Sequence, residues 1–361
     1  MASYDFHQLS FLPPEEEFTP PLNYITDAYH AVGELKGRMF RDVINPHLIV
    51  APLLNKEAVV SSKIEGTQTT VREVLKYEAS KPKQENPEIL EVLNYRKAIY
   101  ESVEYLEKKP SGENLIRMLH KILLSSVRGK ERDPGNYRRG PVHLGKPGSP
   151  VEEAVYIPPG PEEIEGLMKN WVEFVHEHEM DLLIKVAVSH YQFEAIHPFL
   201  DGNGRVGRLL VPIVLFEQNL ISYPYFYISE YFEKHRSDYY EALRGVDRDG
   251  NWEMWIRFFL VGVRETAIQM QAKVVRMYDL YGTTKEKLLE MNSQYAQLLL
   301  DLLFEKPIIA SKEIHERLSQ PSSQTLYNLM DKFEEAGIIT EITGNKRNKM
   351  YAFGELLDII G

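Results

Sequence analysis

The chain has 361 residues, 43% of them hydrophobic, so it is long enough to form two or three domains with sizeable cores. Its formal net charge of -11 argues against broad binding to nucleic acids or anionic membranes, and confines such a role to local clusters of basic residues. Because the sequence contains no cysteine, disulfide bonds and thiolate metal sites are excluded.

The first residues, MASYDFHQLSFLPPEEEF, lack the basic and apolar regions of a secretion signal. The most apolar stretch, RLLVPIVLF, reaches about half the length of a membrane-spanning helix. We therefore expect a cytoplasmic protein with no membrane partner.

Apolar residues recur at three- and four-residue spacing over most of the chain, which is the periodicity of an amphipathic helix. The clearest segments are residues 24–40, 88–108, 114–127, 162–178 and 180–196. This pattern predicts an all-α core.

The stretch from Arg132 to Ile164 interrupts the helical pattern with a high content of Gly and Pro. Two β-prone pieces, PVHLG at 141–145 and AVYIP at 154–158, flank the turn-forming sequence KPGSP. We predict a short β-hairpin here, between two helices of the core.

The composition changes again near residues 281–292. The following sequence predicts a helix, a helix-turn-helix and two strands around TGNKRNK, which is the order of elements in a winged-helix (α+β) domain. We accordingly divide the chain into an N-terminal helical segment at 1–110, a core at 111–275 and a winged-helix domain at 290–361.

The sequence IHPFLDGNGRVGRLL, residues 196–210, concentrates groups that carry chemistry. His197 precedes Pro198, and a residue before proline disfavours the α region, so we expect His197 at the exit of a helix. A histidine there can act as a general base, because its pKa lies near neutrality without a large environmental shift. Phe199 is expected to anchor the loop by being buried.

Gly202, Asn203 and Gly204 predict a phosphate-binding turn. Two residues without Cβ flank an asparagine that tolerates positive φ, so successive backbone N–H groups can form an anion nest. We expect a helix to begin immediately afterwards, and its N-terminal amides favour a phosphate at the same place.

Three charged side chains surround this turn. Asp201 stands where an oxygen ligand could hold a Mg²⁺ ion that bridges phosphate oxygens. Arg205 and Arg208 share a helix face, and both can reach further phosphate oxygens with bidentate hydrogen bonds. Together with the base, these groups are typical of the transfer of a nucleotide phosphoryl centre to a hydroxyl.

Each of these residues also has a purely structural interpretation, such as a histidine at a helix end or a simple turn. A P-loop requires Gly-Lys-Ser/Thr after a four-residue spacer, and a Rossmann turn requires a preceding strand; the sequence has neither. A metal site on His190 and His197, seven positions apart on one helix face, is a further alternative that lacks a clear third ligand.

Residues 197–208 match every specified position of His-x-Phe-x-Asp/Glu-Gly-Asn-Gly-Arg-x-x-Arg, and the chain resembles the Fic family of adenylyltransferases. The resemblance covers most of residues 1–260. It implies an all-α core, with Mg²⁺-dependent transfer of AMP from ATP to a Ser, Thr or Tyr hydroxyl of a protein and release of pyrophosphate. The implied roles are general base for His197, Mg²⁺ ligand for Asp201, phosphate cradle for Gly202, Asn203 and Gly204, and outer-phosphate ligands for Arg205 and Arg208.

Two further segments are similar to family elements. Val155, Tyr156 and Ile157 lie where the family has its flap, an edge that docks the target backbone by β-augmentation, although a plain surface hairpin would look the same. Tyr240 lies where family members line the adenine pocket, with a helix-packing tyrosine as the alternative.

The segment VVSSKIEGTQTT places Ser61 and Glu65 four residues apart on one helix face, followed by Gly66 as a helix terminator. Alone, this is a helix end. The Ser-x-x-x-Glu-Gly pattern is however similar to the inhibitory helix of one Fic class, here at about residues 56–66. The resemblance implies that Glu65 pairs with Arg208 and so competes with the γ-phosphate of ATP for one guanidinium.

Residues 294–361 contain seven Lys and Arg against ten Asp and Glu, so a basic face is limited to the NKRNK wing. The polar residues of the recognition helix would be Ser322, Ser323, Gln324, Thr325 and Asn328. The domain could therefore bind DNA weakly, or instead mediate contacts with a protein or a second copy.

Two alternatives to AMP transfer use the same site. One is removal of AMP from modified proteins, with Glu65 orienting a water molecule. The other is a transcriptional regulator that senses ATP without turning it over. The sequence does not identify the target protein, which includes the possibility of self-modification, nor the oligomeric state.

Overall fold

The computed structural model describes residues 4–14, 22–39, 45–125, 130–145, 148–318, 321–345 and 347–361. The described chain is mostly helical and has one small sheet, which confirms the predicted all-α core. The helices are α1 (Leu22–Met39), α2 (Pro46–Ile64), α3 (Val71–Ser80), α4 (Pro87–Leu106), α5 (Glu113–Leu123), α6 (Ile164–Glu177), α7 (Leu182–Ile196), α8 (Asn203–Glu217), α9 (Ser229–Lys234), α10 (Arg236–Asp249), α11 (Trp252–Leu288), α12 (Ala296–Glu305), α13 (Ser311–Arg317), α14 (Ser323–Glu335) and α15 (Gly354–Ile360). The strands are β1 (Ile308–Ala310), β2 (Thr340–Glu341) and β3 (Met350–Ala352).

The chain divides into two compact units that are not contiguous in sequence. The first unit comprises Met1–Val32 and Asn94–Thr266, and the second comprises Gly33–Leu93 and Ala267–Gly361. The sequence-based division uses contiguous segments, because amphipathic periodicity identifies helices but not which distant helices pack together.

The first unit is built around α7, which packs against α6 and α8, and α5 contacts both α6 and α8. Nearly every residue of α7 is buried, which explains a sequence that is apolar all round. Asp181 caps the helix by accepting hydrogen bonds from Leu183 N and Ile184 N, at 3.0 and 3.2 Å. Helix α8 is buried along most of its length as well. The six residues from 197 to 202 therefore connect two central helices.

The predicted hairpin is reduced to a single β-bridge between Leu144 and Tyr156. Leu144 N donates to Tyr156 O at 2.8 Å, and Val155 N donates to Leu144 O at 2.7 Å. The first two residues of the predicted KPGSP turn, 146 and 147, lie outside the described residues. Pro141 at the start of the first piece and Pro158 at the end of the second account for the short pairing, because proline cannot donate a ladder hydrogen bond.

In the second unit α2 contacts α3, α12 and α15, and α3 contacts β1. The sheet has the order β1-β3-β2 and is antiparallel, with Ile309 and Glu341 both opposite Tyr351. Helices α13 and α14 lie between β1 and β2 in the chain. The sequence predicts the two strands around TGNKRNK but not β1, which has no turn-forming sequence like TGNKRNK beside it to mark it as a strand.

Within the described residues, none of the helices combines the length and the apolar character that crossing a bilayer requires.

Candidate active site

His197 occupies the end of α7 in a left-handed conformation, with φ 49° and ψ 59°. Its backbone N–H donates to Phe193 O at 3.1 Å and continues the helical pattern by one residue. Its Nδ1 lies 3.3 Å from Glu194 O, which can only accept, so Nδ1 carries the proton of the neutral ring. The lone pair of the half-buried imidazole is therefore on Nε2, the arrangement that a general base requires.

A buried arginine holds the backbone of this helix end. The guanidinium of Arg138 donates from Nε to His197 O at 2.9 Å and from Nη2 to Ile196 O at 3.3 Å. Its own backbone N–H donates to Pro198 O at 2.9 Å. These carbonyls end α7, where the helix dipole is negative and a cation is stabilised.

Phe199 is fully buried, and its ring stacks on the imidazole of His120 with centroids 3.7 Å apart. Asn203 binds the backbone of the same residue twice. Its Oδ1 accepts from Phe199 N and its Nδ2 donates to Phe199 O, both at 2.9 Å. The loop is thus held to the first turn of α8 by a side chain that is only 1% exposed.

The geometry corrects one expectation about the turn. Gly202 is left-handed, with φ 79°, and caps α8, but Asn203 is the first residue of α8 and not a positive-φ residue. In this helical conformation the side-chain amide of Asn203 reaches the backbone of Phe199. Gly204 also belongs to the first turn of α8. The backbone amides available to an anion are therefore those of a helix N-terminus rather than of a loop.

Asp201 directly precedes this turn, and its side chain is 48% exposed. Its Oδ1 accepts from Gly202 N at 2.6 Å and lies 3.5 Å from Nη2 of Arg205. One exposed carboxylate suits Mg²⁺, which is usually held by one or two carboxylates together with substrate phosphates and water. In the described part of the chain no cluster of three or more His, Asp or Glu side chains is placed to hold a metal by itself.

Arg205 and Arg208 are 4% and 2% exposed. Both belong to the first two turns of α8, so two guanidinium groups and the helix N-terminus lie within one short segment. The positive charge of Arg208, together with the stronger effect of burial, lowers the pKa of His190. This concentration of positive charge favours a polyanionic ligand over a neutral one.

His190 does not form a metal site with His197. It is buried among aromatic rings, and burial lowers its pKa to about 3. Its Nδ1 lies 3.2 Å from Gly207 O and its Nε2 lies 3.0 Å from the hydroxyl of Tyr239. Because both ring nitrogens are used in hydrogen bonds, His190 is a neutral core residue.

The segment predicted to dock a target, Val155 to Ile157, is anchored at its centre. Val155 is 59% exposed, whereas the hydroxyl of Tyr156 donates to Ala195 O at 3.0 Å. The carbonyl of Ile157 accepts a hydrogen bond from His7 N at 3.0 Å. The segment therefore rests on α7 and already receives one backbone hydrogen bond from the N-terminal residues.

Tyr240 is 37% exposed on α10, and its ring lies 6.0 Å below the guanidinium carbon of Arg236. The neighbouring Tyr239 is 2% exposed and fills the packing position. The alternative of a helix-packing tyrosine therefore describes Tyr239 and not Tyr240.

In the second unit α2 ends at Ile64, Glu65 is its C-cap, and Gly66 follows with φ 100°. Ser61 is fully buried, whereas Glu65 is exposed. The positive φ of Gly66 takes the chain out of the helix. A residue in this conformation just after a helix is commonly a glycine.

The polar positions of the C-terminal part lie at the start of α14. Ser322 caps the helix by accepting from Thr325 N at 3.2 Å, and Gln324 donates to Asn328 Oδ1 at 2.8 Å. Tyr327 is 47% exposed on the same helix. Residue 346, one of the basic residues of the predicted wing, lies outside the described residues.

Two site residues were missed by the sequence reasoning. Arg138 and His120 are distant from the motif in sequence, and each lies in a segment that reads as ordinary loop or amphipathic helix. The signal available was a histidine on the apolar face of α5, which is 0% exposed in the structure. Nothing in the sequence distinguishes Arg138 from the adjacent, exposed Arg139.

The described structure is a helical protein in which a six-residue loop carrying a histidine and an aspartate leads into the N-terminus of a buried helix. The chain belongs to the Fic/DOC family. The model of the family's N-terminal region matches residues 22–104, and the model of the Fic/DOC family itself matches residues 110–215.

Curated relatives match parts of the chain. Protein adenylyltransferase Fic of Drosophila melanogaster is 32% identical over 146 residues, which cover 39% of this chain and 25% of the relative. A probable protein adenylyltransferase of Aquifex aeolicus is 28% identical over 204 residues, which cover 54% of this chain and 55% of the relative. The chain thus spans about a quarter to about half the length of these relatives.

Solved structures share the fold. A Fic family protein from Desulfovibrio desulfuricans superposes with a TM-score of 0.59 at 21% identity, over 94% of this chain and 98% of that one. A Fic domain containing signaling protein from Bacteroides thetaiotaomicron gives a TM-score of 0.54 at 19% identity, over 69% of this chain and 95% of that one.

Proposed function

We propose that this protein is a protein adenylyltransferase, which transfers AMP from ATP to a Ser, Thr or Tyr hydroxyl of a protein and releases pyrophosphate. The observation that carries the proposal is an imidazole with its lone pair on Nε2 in the short loop that leads into α8, whose first two turns carry two buried arginines. The names of the curated relatives support the same reaction class.

The chemical step begins with the target hydroxyl. As its oxygen forms a bond to the α-phosphorus, Nε2 of His197 takes the hydroxyl proton. The bond between the α-phosphorus and the oxygen that bridges to the β-phosphate breaks, and pyrophosphate leaves with that electron pair. The hydrogen bond from Nδ1 to Glu194 O keeps the ring in the required tautomer throughout, and it stabilises the imidazolium that forms.

The triphosphate would lie against the first turn of α8. Backbone amides of Asn203 and Gly204 point out of the helix N-terminus and can donate to phosphate oxygens. Arg205 and Arg208 supply guanidinium groups in a buried environment, where charge-assisted hydrogen bonds are strong. We assign the adenine wall to Tyr240, whose ring is 37% exposed.

Asp201 would hold Mg²⁺ through its carboxylate. The ion supplies charge neutralisation at the phosphates when bound. The role of the chain is to orient the carboxylate, which the hydrogen bond from Gly202 N and the proximity of Arg205 accomplish.

We further propose that Glu65 inhibits the enzyme by competing with the γ-phosphate for Arg208. Glu65 belongs to the second unit and Arg208 to the first, so this proposal rests on the Ser-x-x-x-Glu-Gly pattern and on charge. An anionic side chain and a triphosphate cannot both occupy one guanidinium fork.

A target strand is expected to add to the docking segment at Val155 to Ile157 by backbone hydrogen bonds. Because Ile157 O already accepts from His7 N, a strand that uses this carbonyl has to replace residue 7 there. Short extended peptides suit this mode. Successive side chains of a strand point to opposite faces, so the side chains at alternate positions would determine specificity.

Intact-mass spectrometry after incubation with Mg²⁺ and ATP tests the activity and the inhibition together. Glu65→Gly is expected to gain the mass of AMP faster than the wild type, and Glu65→Gly/His197→Ala is expected to gain none. Glu85→Gly, which changes an exposed acidic residue of the same unit, is the matched control.

Equal incorporation of AMP by the wild type and Glu65→Gly would contradict the inhibitory role of Glu65 but would still support the transferase activity. If neither protein binds ATP in calorimetry and neither labels itself or an added protein, the adenylyltransferase assignment is wrong.

A further inference from the structure

Arg138 is a buried cation whose hydrogen bonds converge on the backbone around His197. It is 3% exposed, and burial lowers its pKa to about 10, so it stays charged at neutral pH. In the described part of the chain, every acceptor of its guanidinium is a backbone carbonyl. A buried charge that has no hydrogen bond to a carboxylate is costly, and its retention calls for a specific explanation.

The guanidinium joins two segments that are far apart in sequence. On one side it donates to Ile196 O and His197 O, the last carbonyls of α7. On the other side Nη2 donates to Pro159 O at 2.6 Å, two residues beyond the docking segment. One rigid, planar group therefore bonds to the backbone of the proposed base and to the chain that leads from the proposed target-docking segment.

The conformation of His197 makes this support necessary. A non-glycine residue in the left-handed region is disfavoured by roughly 1 kcal/mol, and the end of a helix tends to fray. The Nε–H group of Arg138 donates to His197 O. The backbone N–H of Arg138 donates to Pro198 O, on the residue that follows His197. Both bonds oppose rotation of the two peptide groups that follow His197.

We propose that Arg138 is a positioning residue, which sets the imidazole of His197 relative to a hydroxyl docked at residues 155–157. This inference rests on the proposed function, because the hydroxyl is that of the protein target. Arg138 does not touch nucleotide in this scheme, since its bonds run to α7 and to Pro159 and not to the first turn of α8. Its loss is therefore expected to slow the transfer step and to leave nucleotide affinity unchanged.

The test compares Arg138→Lys with Arg139→Lys, in the wild type and in the Glu65→Gly background. Lysine keeps the positive charge but cannot reproduce the planar guanidinium that donates to four carbonyls. Arg138→Lys is expected to lower the single-turnover rate of AMP transfer by roughly 10²-fold, because small misplacements of catalytic groups have effects of that size. The dissociation constant of ATP is expected to stay within about twofold of that of the parent protein. Arg139 is exposed, so Arg139→Lys is expected to match the parent protein in both measurements.

Chemical rescue separates geometry from charge. Arg138→Ala supplied with methylguanidinium is expected to recover a large part of the rate, whereas the same concentration of methylammonium is not. A transfer rate equal to the parent's in Arg138→Lys, an equal loss of rate and of nucleotide affinity, or equal rescue by the two cations would overturn the proposal.

Hydrogen exchange tests the inference even if the chain transfers no AMP. The peptide that contains residues 193–200 is expected to exchange about tenfold faster in Arg138→Lys than in Arg139→Lys. Unchanged protection there would mean that Arg138 does not hold the helix end, whatever the activity of the protein. A chain that shows the faster exchange but transfers nothing would instead contradict the proposed function.

Discussion

The imidazole of His120 lies flat against the ring of Phe199, with centroids 3.7 Å apart and planes at 10°. Its Nδ1 accepts from Gly135 N at 2.8 Å, and its Nε2 therefore carries the proton and donates to Asp201 O at 3.0 Å. Burial lowers the pKa of His120 to about 4, so the ring is neutral at physiological pH and keeps this pattern. His120 on α5 thus contacts both Phe199, which anchors the loop, and the backbone of Asp201, the proposed metal ligand.

His120→Phe is expected to preserve the stacking and to remove both hydrogen bonds. Gly135 N–H and Asp201 O then lose a buried partner, which lowers the free energy of unfolding by roughly 1–3 kcal/mol. The Mg²⁺ concentration needed for half-maximal ATP binding is expected to rise by roughly tenfold, because the Asp201 backbone is released. Calorimetric titrations with and without Mg²⁺ measure this.

His178→Phe is the matched control, since His178 also stacks on a phenylalanine, Phe174. An equal change in the Mg²⁺ requirement of His120→Phe and His178→Phe would show that the effect is general destabilisation.

Asp201→Asn is expected to remove the dependence of ATP binding on Mg²⁺. The amide oxygen can still accept from Gly202 N, so the loop is retained while the anionic oxygen is lost. ATP affinity measured in EDTA is expected to be similar for Asp201→Asn and the wild type. If Mg²⁺ still strengthens binding to the variant by the same factor, another group holds the metal.

Asn203→Asp is expected to be strongly destabilising although the two side chains have the same shape. The carboxylate can accept from Phe199 N but cannot donate to Phe199 O, and it places an unpaired charge at a site that is 1% exposed. We expect the free energy of unfolding to fall by roughly 2–4 kcal/mol in urea denaturation.

Asn219→Asp serves for comparison, because Asn219 is exposed and left-handed and aspartate tolerates that conformation. Similar losses of stability in Asn203→Asp and Asn219→Asp would contradict the role given to the Asn203 amide.

Acid pH is expected to destabilise the first unit through its two buried histidines. The pKa of His120 falls to about 4 and that of His190 to about 3 on folding, whereas an unfolded histidine titrates near 6.5. Between these values the unfolded chain binds more protons, so the stability present above about pH 6.5 is lost as the pH falls. The slope is about 1.4 kcal/mol per pH unit for each histidine.

Urea denaturation at a series of pH values measures this slope in the wild type, in His190→Phe and in His30→Gln. His30 is exposed and its replacement serves as the comparison, whereas His190→Phe should reduce the slope by about half. The same slope in all three proteins would mean that other groups dominate the acid sensitivity.

Several features of the molecule could be predicted from local sequence because they depend on local physics. The periodicity of residues 180–196 predicts a helix, and His197-Pro198 predicts its end, since proline restricts the residue before it. The composition of the 132–164 stretch predicts an irregular segment, but its prolines leave a single bridge at Leu144 and Tyr156 in place of a hairpin. The helical conformation of Asn203 was not predicted, because the pairing of its amide with Phe199 depends on the path of the loop.

The sequence by itself determined the family and the helical class and supplied the candidate groups for chemistry, since these follow from residue types at fixed spacing along a few helical turns. Only the tertiary structure decided which residues, distant in sequence, form hydrogen bonds to the segment that carries these groups. Arg138 reaches the end of α7 and His120 reaches the loop before α8 because helices from separate parts of the chain pack together. Burial and the direction of individual hydrogen bonds depend on that packing, and one-dimensional periodicity contains no information about either.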